Sequence, residues 1–291
     1  MRFLVLGSMN IDNTFSVNHI VREGETISSN GCSRRAGGKG ANQAASLAKA
    51  GAEVFFAGKC GDDGRWILSL LESYGVDTSL SIIGEESTGA AMIQVDSSGQ
   101  NSIVLYAGGN RLWREDEALF VLSHFGKGDV IVLQNEVNLL SFIMEKAKER
   151  GMLIAFNPSP FDDEIADLPL SYVDWFFLNE IEGECLTGEN RFPLILDEMR
   201  RLYPAASVVL TCGKSGAYAM HEGNVYYQEI VDYPVVDTTG AGDTFSGYFL
   251  SSIYNNGKSV EDSLFYASKA SGIAVSRNGA MDAIPFSSEV M

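Results

Sequence analysis

Short runs of apolar residues recur along the chain, and stretches with helical periodicity separate most of them. The runs cover residues 3–6, 54–57, 130–133, 153–156, 175–178 and 208–210. Short runs that are apolar at every position are typical of strands buried on both faces. Strands that alternate with helices form a parallel sheet whose two faces are covered by helices. The pattern therefore predicts an α/β fold of three layers with a mainly parallel central sheet.

Two segments depart from this alternation. Residues 11–36 have no helical period, and residues 88–107 are typical of a hairpin, with a turn at residues 96–99. Together they predict a small antiparallel β sheet beside the main core, which could act as a lid that excludes water from a reaction. An edge extension or a dimerisation surface explains the pattern equally well. With no internal repeat or linker in the sequence, we predict one domain over residues 1–291, carrying a β lid formed by roughly 11–36 and 88–107.

The charge of the chain restricts its partners. There are 38 acidic and 21 basic residues, which gives a formal net charge of -17. A surface of this sign repels nucleic acid and anionic membranes, so neither is predicted as a partner. An anionic ligand would need a local positive site made by backbone N–H groups, a helix start or a metal ion.

The cysteines and the amino-terminal segment predict a cytoplasmic location. The four cysteines are far apart and form no C-x-x-C pair, as expected for reduced thiols without a zinc site or a disulfide framework. Asn10 and Asp12 interrupt the first apolar run too early for a signal peptide, and no run approaches membrane-spanning length.

The segment at residues 237–245, Asp-Thr-Thr-Gly-Ala-Gly-Asp-Thr-Phe, joins a predicted strand to a helix predicted over 241–253. Gly240 and Gly242 permit close backbone approach, so the amides of residues 240–243 can converge on an anion. Asp243 falls in the first helical turn, where the helix dipole favours an ionised carboxylate that can accept a proton from a hydroxyl. The alternative is a glycine turn followed by an ordinary charged first-turn residue.

A second glycine-rich turn, Gly-Gly-Lys-Gly-Ala-Asn-Gln at residues 37–43, also leads into a helix. Its Asn42 offers a donor and an acceptor to hydroxyl groups. Asp12 follows the first predicted strand and Glu136 follows the strand at 130–133, where ligands of α/β folds collect. The alternatives are a tight turn with a helix cap and two ordinary loop charges.

A third group follows two later strands. Asn179 and Glu182 are three residues apart, so both could lie on one side of a helix start and organise hydrated Mg²⁺. Helix capping is the alternative role for this pair. The segment Thr-Cys-Gly-Lys-Ser-Gly at residues 211–216 follows the next strand.

Several other classes of enzyme lack support in the sequence. Val208 stands where a Walker A loop ending at residues 213–215 would need its first glycine, and residues 7–10 do not complete a dinucleotide-binding fingerprint. The three histidines have neither metal-ligand spacing nor a nucleophile elbow nearby, which disfavours zinc chemistry and triad hydrolysis.

With these segments in order, the chain resembles the ribokinase-like (PfkB) family of carbohydrate kinases over essentially its whole length. Residues 37–43 are similar to the family's amino-terminal signature, and residues 237–245 to its carboxy-terminal signature. Within the family the similarity is greatest to the ribokinase group, through residues 10–12, 24–26, 61–64, 87–89, 157–160 and 275–280. The resemblance implies the ribokinase-like three-layer fold with a β lid.

The resemblance also implies roles for individual residues. Asp243 would be the catalytic base, and Gly240, Ala241 and Gly242 would form the anion hole over the transferred phosphoryl group. Residues implied to hold the sugar are Asp12, Gly38, Lys39, Asn42, Glu136 and Asp243. Residues implied to bind the nucleotide are Asn179, Thr211, Gly213 and Gly216. For Lys39 we favour the alternative that it only solvates the turn.

Two metal ions are implied by the same resemblance. Glu182 would help to place Mg²⁺ through water, as a cofactor that arrives with ATP. A monovalent cation, usually K⁺, would be held by Asp237, Thr239 and the turn that contains Arg277 and Gly279. Ala283 departs from the serine that ribokinases commonly carry at this cation site, so K⁺ dependence is a weaker expectation than catalysis.

The implied activity is ATP-dependent phosphorylation of a sugar hydroxyl, and we expect D-ribose to be converted to D-ribose 5-phosphate. The alternatives are a PfkB-type kinase for another sugar or a nucleoside, such as fructose or an adenosine-like substrate, and a sugar-binding regulator without turnover. ATP and a small sugar are the expected partners, and pairing of the lid with a second copy would make a homodimer.

Overall fold

A computed structural model describes residues 1–290 of the chain. Its strands are β1 (Arg2–Leu6), β2 (Asn10–Ser16), β3 (Gly31–Gly37), β4 (Glu53–Ala57), β5 (Lys59–Cys60), β6 (Ile82–Ile83), β7 (Gly89–Val95), β8 (Asn101–Tyr106), β9 (Val130–Gln134), β10 (Leu153–Asn157), β11 (Trp175–Asn179), β12 (Ser207–Thr211), β13 (Ala217–His221) and β14 (Asn224–Gln228). Its α-helices are α1 (Lys39–Lys49), α2 (Arg65–Ser73), α3 (Glu115–Leu122), α4 (Leu140–Glu149), α5 (Glu180–Thr187), α6 (Phe192–Leu202), α7 (Ala241–Leu250), α8 (Val260–Val275) and α9 (Ser287–Val290).

The main sheet contains eight strands in the order β14-β13-β12-β11-β10-β9-β1-β4. The strands from β12 to β4 are parallel, whereas β13 and β14 add antiparallel pairs at one edge. Each of the six apolar runs in the sequence is one of the parallel strands, and their residues are almost all buried. The prediction of a mainly parallel central sheet is therefore confirmed.

Helices cover both faces of this sheet. Alternate side chains of β1 point to opposite faces, and each set packs against a different group of helices. Phe3 and Val5 pack into a core with α1, α2, α7 and α8. Leu4 and Leu6 pack into a second core with α3, α4 and α6 on the opposite face. All four side chains are fully buried. The predicted three-layer α/β fold is thus confirmed, and within residues 1–290 no helix has the length and apolarity needed to cross a bilayer.

The smaller sheet has the order β3-β2-β7-β8 and is formed by the two segments that departed from the alternating pattern. Its outer pairs, β2–β3 and β7–β8, are antiparallel as predicted, but the central pair β2–β7 is parallel. Both central strands leave the core side by side, since Asn10 is the register partner of Gly89 and Asn110 donates to Asn10 Oδ1 at 2.8 Å. They therefore extend outward in the same direction.

The helix predicted over 241–253 begins at Ala241 as expected. It forms α7 and then continues as a π-helical turn over Ser251–Asn255. Because α7 packs closely against α1, the two glycine-rich segments that precede these helices meet at one end of the sheet.

Candidate active site

Asp243 is the third residue of α7, directly after the glycine turn. Gly240 precedes the helix with φ 72°, a left-handed conformation that favours glycine, and a Cβ there would come within 3.1 Å of the Ala280 Cβ. The amide of Ala241 donates to Thr238 O at 3.2 Å. The amides of Gly242 and Asp243 belong to the first turn, whose N–H groups have no acceptor within the helix. They can face an anion at the helix start.

The Asp243 carboxylate is held by two amide side chains from α1. Asn42 donates from Nδ2 to Asp243 Oδ2, and Gln43 donates from Nε2 to Oδ1, each at 3.0 Å. Gln43 is itself oriented by Gln134, whose Nε2 donates to Gln43 Oε1 at 2.7 Å. Asp243 is only 7% exposed. Its carboxylate is therefore fixed in one orientation, and the structure brings Asn42 and Asp243, two of the candidate sugar-binding residues, into direct contact.

A cavity of about 220 Å³ lies between α7 and the carboxyl ends of β10, β11 and β12, the end of the sheet at which ligands of parallel α/β folds collect. Eight of the predicted site residues line it. They are Lys39, Asn179, Glu182, Thr211, Gly240, Ala241, Gly242 and Asp243. The candidate anion-binding turn at residues 240–242, the candidate base and two of the four implied nucleotide residues, Asn179 and Thr211, thus share one cavity.

Lys39 lies in the wall of this cavity and carries the positive charge that an anion would need. Burial lowers the pKa of Lys39, but the charges of Asp243, Glu136 and Glu182 outweigh this effect and raise it. The side chain is therefore protonated, and the charges of three carboxylates act on it.

Asp12 lies on β2, two residues into the small sheet, where the sequence predicted a loop after the first main strand. Its side chain rests over Gly37, where any Cβ would clash with the carboxylate. Burial, and to a smaller extent the nearby charge of Glu136, raises the pKa of Asp12 to about 7. Asp12 and Glu136 therefore lie close together, as two acceptors that a ligand with hydroxyl groups could satisfy.

Glu136 follows β9, as expected, and is tied to the turn before α1. Its Oε2 accepts hydrogen bonds from the Ser8 hydroxyl and from the Lys39 amide, the latter at 3.0 Å. Burial raises the pKa of Glu136, and the hydrogen bond from Ser8 opposes the shift. Gly38 has φ 92°, and a Cβ there would come within 2.7 Å of Met9 Cα, so this turn packs tightly against the chain after β1.

Asn179 and Glu182 form a reciprocal capping box at the start of α5. Asn179 Oδ1 accepts from the Glu182 amide, and Glu182 Oε2 accepts from the Asn179 amide, each at 2.9 Å. The capping alternative is therefore correct for this pair, but Glu182 also lines the cavity. No hydrogen bond reaches its Oε1 from the residues between 1 and 290, which leaves one carboxylate oxygen for a hydrated cation.

The loop after β12 holds the remaining nucleotide candidates. Thr211 ends that strand and lines the cavity, while Gly213 and Gly216 flank the turn that leads to β13, outside the cavity wall. Both glycines have positive φ, and a Cβ at Gly216 would come within 2.3 Å of Gln228 O. The structure thus groups Thr211 with the cavity and places the two glycines beside it.

The candidates for a monovalent cation lie next to the glycine turn that precedes α7. Asp237 Oδ1 accepts from the Thr239 amide at 3.0 Å and from its hydroxyl at 2.7 Å, while Oδ2 accepts from the Gly279 amide at 3.0 Å. The Arg277 side chain points elsewhere and pairs with Glu289 at 2.6 Å. Ala283 is buried and contributes no side-chain oxygen.

Three residues of the site were not predicted as functional from the sequence: Gln43, Gln134 and Ser8. Gln43 belongs to the glycine-rich segment at residues 37–43, but nothing in the sequence indicates that a glutamine after Asn42 orients a catalytic group. Gln134 directly follows the apolar run at 130–133, and only the structure shows that it is completely buried and therefore needs a polar partner.

The chain is similar to known carbohydrate kinases over nearly its whole length. Residues 2–286 match the model of the pfkB family of carbohydrate kinases. The ribokinase of Haemophilus influenzae is 32% identical over 300 residues, which cover 99% of this chain and 96% of the relative. Among solved structures, Arabidopsis thaliana ribokinase complexed with ribose and ATP has a TM-score of 0.89 at 31% identity, covering 99% of this chain and 96% of the other. Cryptococcus neoformans ribokinase in complex with ADP has a TM-score of 0.87 at 36% identity, covering 99% and 98%.

Proposed function

This chain belongs to the pfkB family of carbohydrate kinases, and from that premise we propose that it transfers the γ-phosphoryl group of ATP to O5 of D-ribose. The ribokinases of Haemophilus influenzae, Arabidopsis thaliana and Cryptococcus neoformans support this choice of sugar. The proposal assigns residues 1–291 to one kinase domain that carries a β lid.

The observation that carries the proposal is the position of Asp243. Its carboxylate lines the cavity beside the anion-binding turn, and Asn42 and Gln43 fix both of its oxygens. A base must lie within hydrogen-bond reach of the hydroxyl it deprotonates. In the proposed mechanism Asp243 accepts the proton of the sugar hydroxyl as its oxygen attacks the γ-phosphorus in line with the leaving oxygen of ADP.

Negative charge that develops on the phosphoryl oxygens is stabilised by groups already in place. The amides of Gly242 and Asp243, at the start of α7, face the phosphoryl group, and the Lys39 ammonium in the cavity lining contributes positive charge. Such preorganised donors stabilise a transition state without rearranging. The nucleotide lies along Asn179, Thr211, Gly213 and Gly216.

The sugar is held on the other side of Asp243. Asp12 and Glu136 accept hydrogen bonds from its hydroxyls, and Asn42 offers Oδ1, which has no partner within residues 1–290. Gly38 lets the turn pack against the chain at Met9, which brings this turn to the sugar. Two carboxylates favour a neutral polyol over a sugar phosphate, which would require arginine or lysine.

Magnesium would arrive with ATP. No group of three acidic, histidine or cysteine side chains within residues 1–290 could hold a metal ion alone. That arrangement fits Mg²⁺, which keeps several waters and binds through few carboxylates together with phosphates. Glu182, with one free carboxylate oxygen in the cavity wall, would hold such a hydrated ion. When bound, Mg²⁺ neutralises charge on the phosphates.

The predicted K⁺ beside Asp237 remains a prediction, and the residues there fit it poorly. Thr239 and Gly279 already donate to both carboxylate oxygens, and Ala283 supplies no ligand. No catalytic step is therefore assigned to this ion.

We also propose a homodimer that forms through the lid, and a cytoplasmic location. Exposed apolar side chains on both faces of the edge strand β8, from Ile103 to Tyr106, support a homodimer in which two lids pair. A cytoplasmic location is supported by the free thiols of Cys32, Cys60, Cys185 and Cys212, and by the need for ATP.

The proposal is tested by measuring sugar-dependent ADP release from MgATP with D-ribose, deoxyribose, fructose, adenosine and fructose 6-phosphate. The expected result is the highest kcat/KM with D-ribose. A higher kcat/KM with another acceptor would show that D-ribose is not the preferred substrate, while the proposed kinase activity would still hold. Sugar binding without ADP release for any acceptor would contradict the kinase and favour a regulator.

A further inference from the structure

Arg35, near the end of lid strand β3, extends its guanidinium to the turn that carries Gly279. A Cβ added to Gly279 would stand 2.7 Å from Arg35 Nη1 and 3.6 Å from Arg35 Cζ, so the guanidinium lies directly over this glycine. Gly279 also has φ 99°, a conformation that favours glycine. The lid and the carboxy-terminal turn thus meet at this pair.

The same turn is bound to Asp237. The Gly279 amide donates to Asp237 Oδ2 at 3.0 Å, and Thr239 donates to Oδ1. Burial raises the pKa of Asp237, but the hydrogen bonds from Thr239 and Gly279 and the charge of Arg35 together lower it. The positive charge of Arg35 therefore acts on the Asp237 carboxylate.

This arrangement disfavours a monovalent cation at the same place. A guanidinium is permanently protonated, and a second positive charge a few ångströms away is repelled. K⁺ also needs several oxygen ligands, and Ala283 supplies none from its side chain. The Arg35 guanidinium and a bound cation would each place a positive charge beside the same Asp237 carboxylate.

The charge on Asp237 is important because that residue anchors the anion-binding turn. Asp237 is three residues before Gly240, and its partner Thr239 is adjacent to Gly240. Ala280, next to Gly279, packs against Gly240 from the other side. A disturbance of the Asp237 carboxylate would therefore reach the amides that face the phosphoryl group.

We propose that Arg35 takes the place of the monovalent cation, acting through Asp237 to hold the anion-binding turn, so that phosphoryl transfer by this chain is independent of K⁺. This inference rests on the proposed sugar kinase activity. Arg35 is a positioning residue, because it touches the turn and not the reacting atoms.

The test compares wild type with Arg35→Ala in buffers whose cation is either K⁺ or tetramethylammonium at equal ionic strength. Arg34→Ala is the matched control. Arg34 is the neighbouring residue on β3, and its guanidinium lies over the Trp66 ring, with Cζ 5.6 Å from the ring centroid, away from Gly279. Both arginines are exposed, so neither substitution leaves a buried cavity. The readouts are kcat with MgATP and D-ribose, and the midpoint of thermal unfolding.

We expect wild type and Arg34→Ala to have the same kcat and unfolding midpoint in both buffers. Without K⁺, the kcat of Arg35→Ala should fall about ten-fold or more, since a preorganised anion site loses its support. K⁺ should restore much of this loss and raise the unfolding midpoint of this variant alone, because a ligand that binds the folded state stabilises it.

Two results would overturn the inference: a wild-type kcat that rises several-fold with K⁺, or an Arg35→Ala variant whose kcat and midpoint match wild type without K⁺. If wild type phosphorylates no sugar in either buffer, the proposed function fails instead. The effect of K⁺ on the unfolding midpoints of the three proteins would still decide the role of Arg35.

Discussion

The Asn42 side chain donates a hydrogen bond of 3.0 Å from Nδ2 to Oδ2 of Asp243, across 201 residues of sequence. This bond joins the two glycine-rich segments of the chain at one carboxylate. With both oxygens of Asp243 held by amide donors, the orientation of the proposed base is determined before a substrate arrives. Preorganisation of this kind lowers the barrier only for a reaction that uses the carboxylate.

Replacing Asp243 with Asn removes the proton acceptor and preserves the shape of the side chain. We predict that kcat falls by about 10² to 10⁴, the usual contribution of a general base. Ribose affinity, measured by calorimetry, should change little. Asp262→Asn is the matched control, because Asp262 also lies in the first turn of a helix but outside the cavity. Near-normal kcat in Asp243→Asn would contradict the assignment.

Gln43 is predicted to act through Asp243. Gln43→Ala should lower kcat about ten-fold with little change in the KM for ribose, because the base loses an orienting donor and not a substrate contact. Gln43→Glu replaces the orienting donor with a carboxylate that repels the Asp243 carboxylate, and it should lower kcat at least as much as Gln43→Ala. A kcat close to wild type in both variants would mean that Gln43 only fills space.

The pKa of about 7 for Asp12 predicts a pH dependence of sugar capture. The ionised carboxylate accepts hydrogen bonds from the sugar, so kcat/KM for ribose should fall as the pH drops through 7. Asp12→Asn should lower kcat/KM throughout and lose this limb. A limb that persists unchanged in the variant would exclude Asp12 as its source.

The raised pKa of Asp12 also makes the stability of the folded protein depend on pH. Its pKa is raised in the folded protein, so the folded state favours the neutral form and is penalised at high pH by the buried charge. Without ligand, Asp12→Asn should therefore raise the unfolding midpoint at pH 8 and have little effect at pH 4. A lower midpoint at pH 8 would contradict this sign.

The exposed strand β8 predicts self-association. Val104 is 66% exposed, and Val104→Asp would place a charge where two lids are proposed to pair. We expect sedimentation velocity to show a dimer for wild type and a monomer for the variant. Phe120→Asp is the control, since Phe120 is 62% exposed on α3, which belongs to the main domain. A monomeric wild type would contradict the dimer.

Much of the fold could be predicted because its strongest signals are local. The apolar runs of β1, β4, β9, β10, β11 and β12 are buried on both faces and are apparent from short windows of sequence. Strand β3 was not apparent, because its first five residues are all exposed and show no alternation. Its partner β2 lies far enough along the chain that no tight turn indicates the pairing.

The site was predictable where a motif carries its own chemistry, as at Asp243 and Asn42. Contacts made only by the tertiary structure could not be predicted. Gln134 reaches Gln43 across 91 residues, and Arg35 meets Gly279 only because the lid folds over the carboxy-terminal turn. A charged residue in an exposed strand gives no sign of such a partner.

The most direct test of the central claim is the phosphorus NMR spectrum of the product formed from MgATP and D-ribose. If Asp243 activates the primary hydroxyl, the new phosphomonoester resonance should be a triplet, since its phosphorus couples to the two protons on C5. The resonance should not form at a comparable rate with Asp243→Asn. A doublet would place the phosphate on a carbon that bears one proton. Inorganic phosphate alone would mean ATP hydrolysis, and either result would contradict transfer to O5.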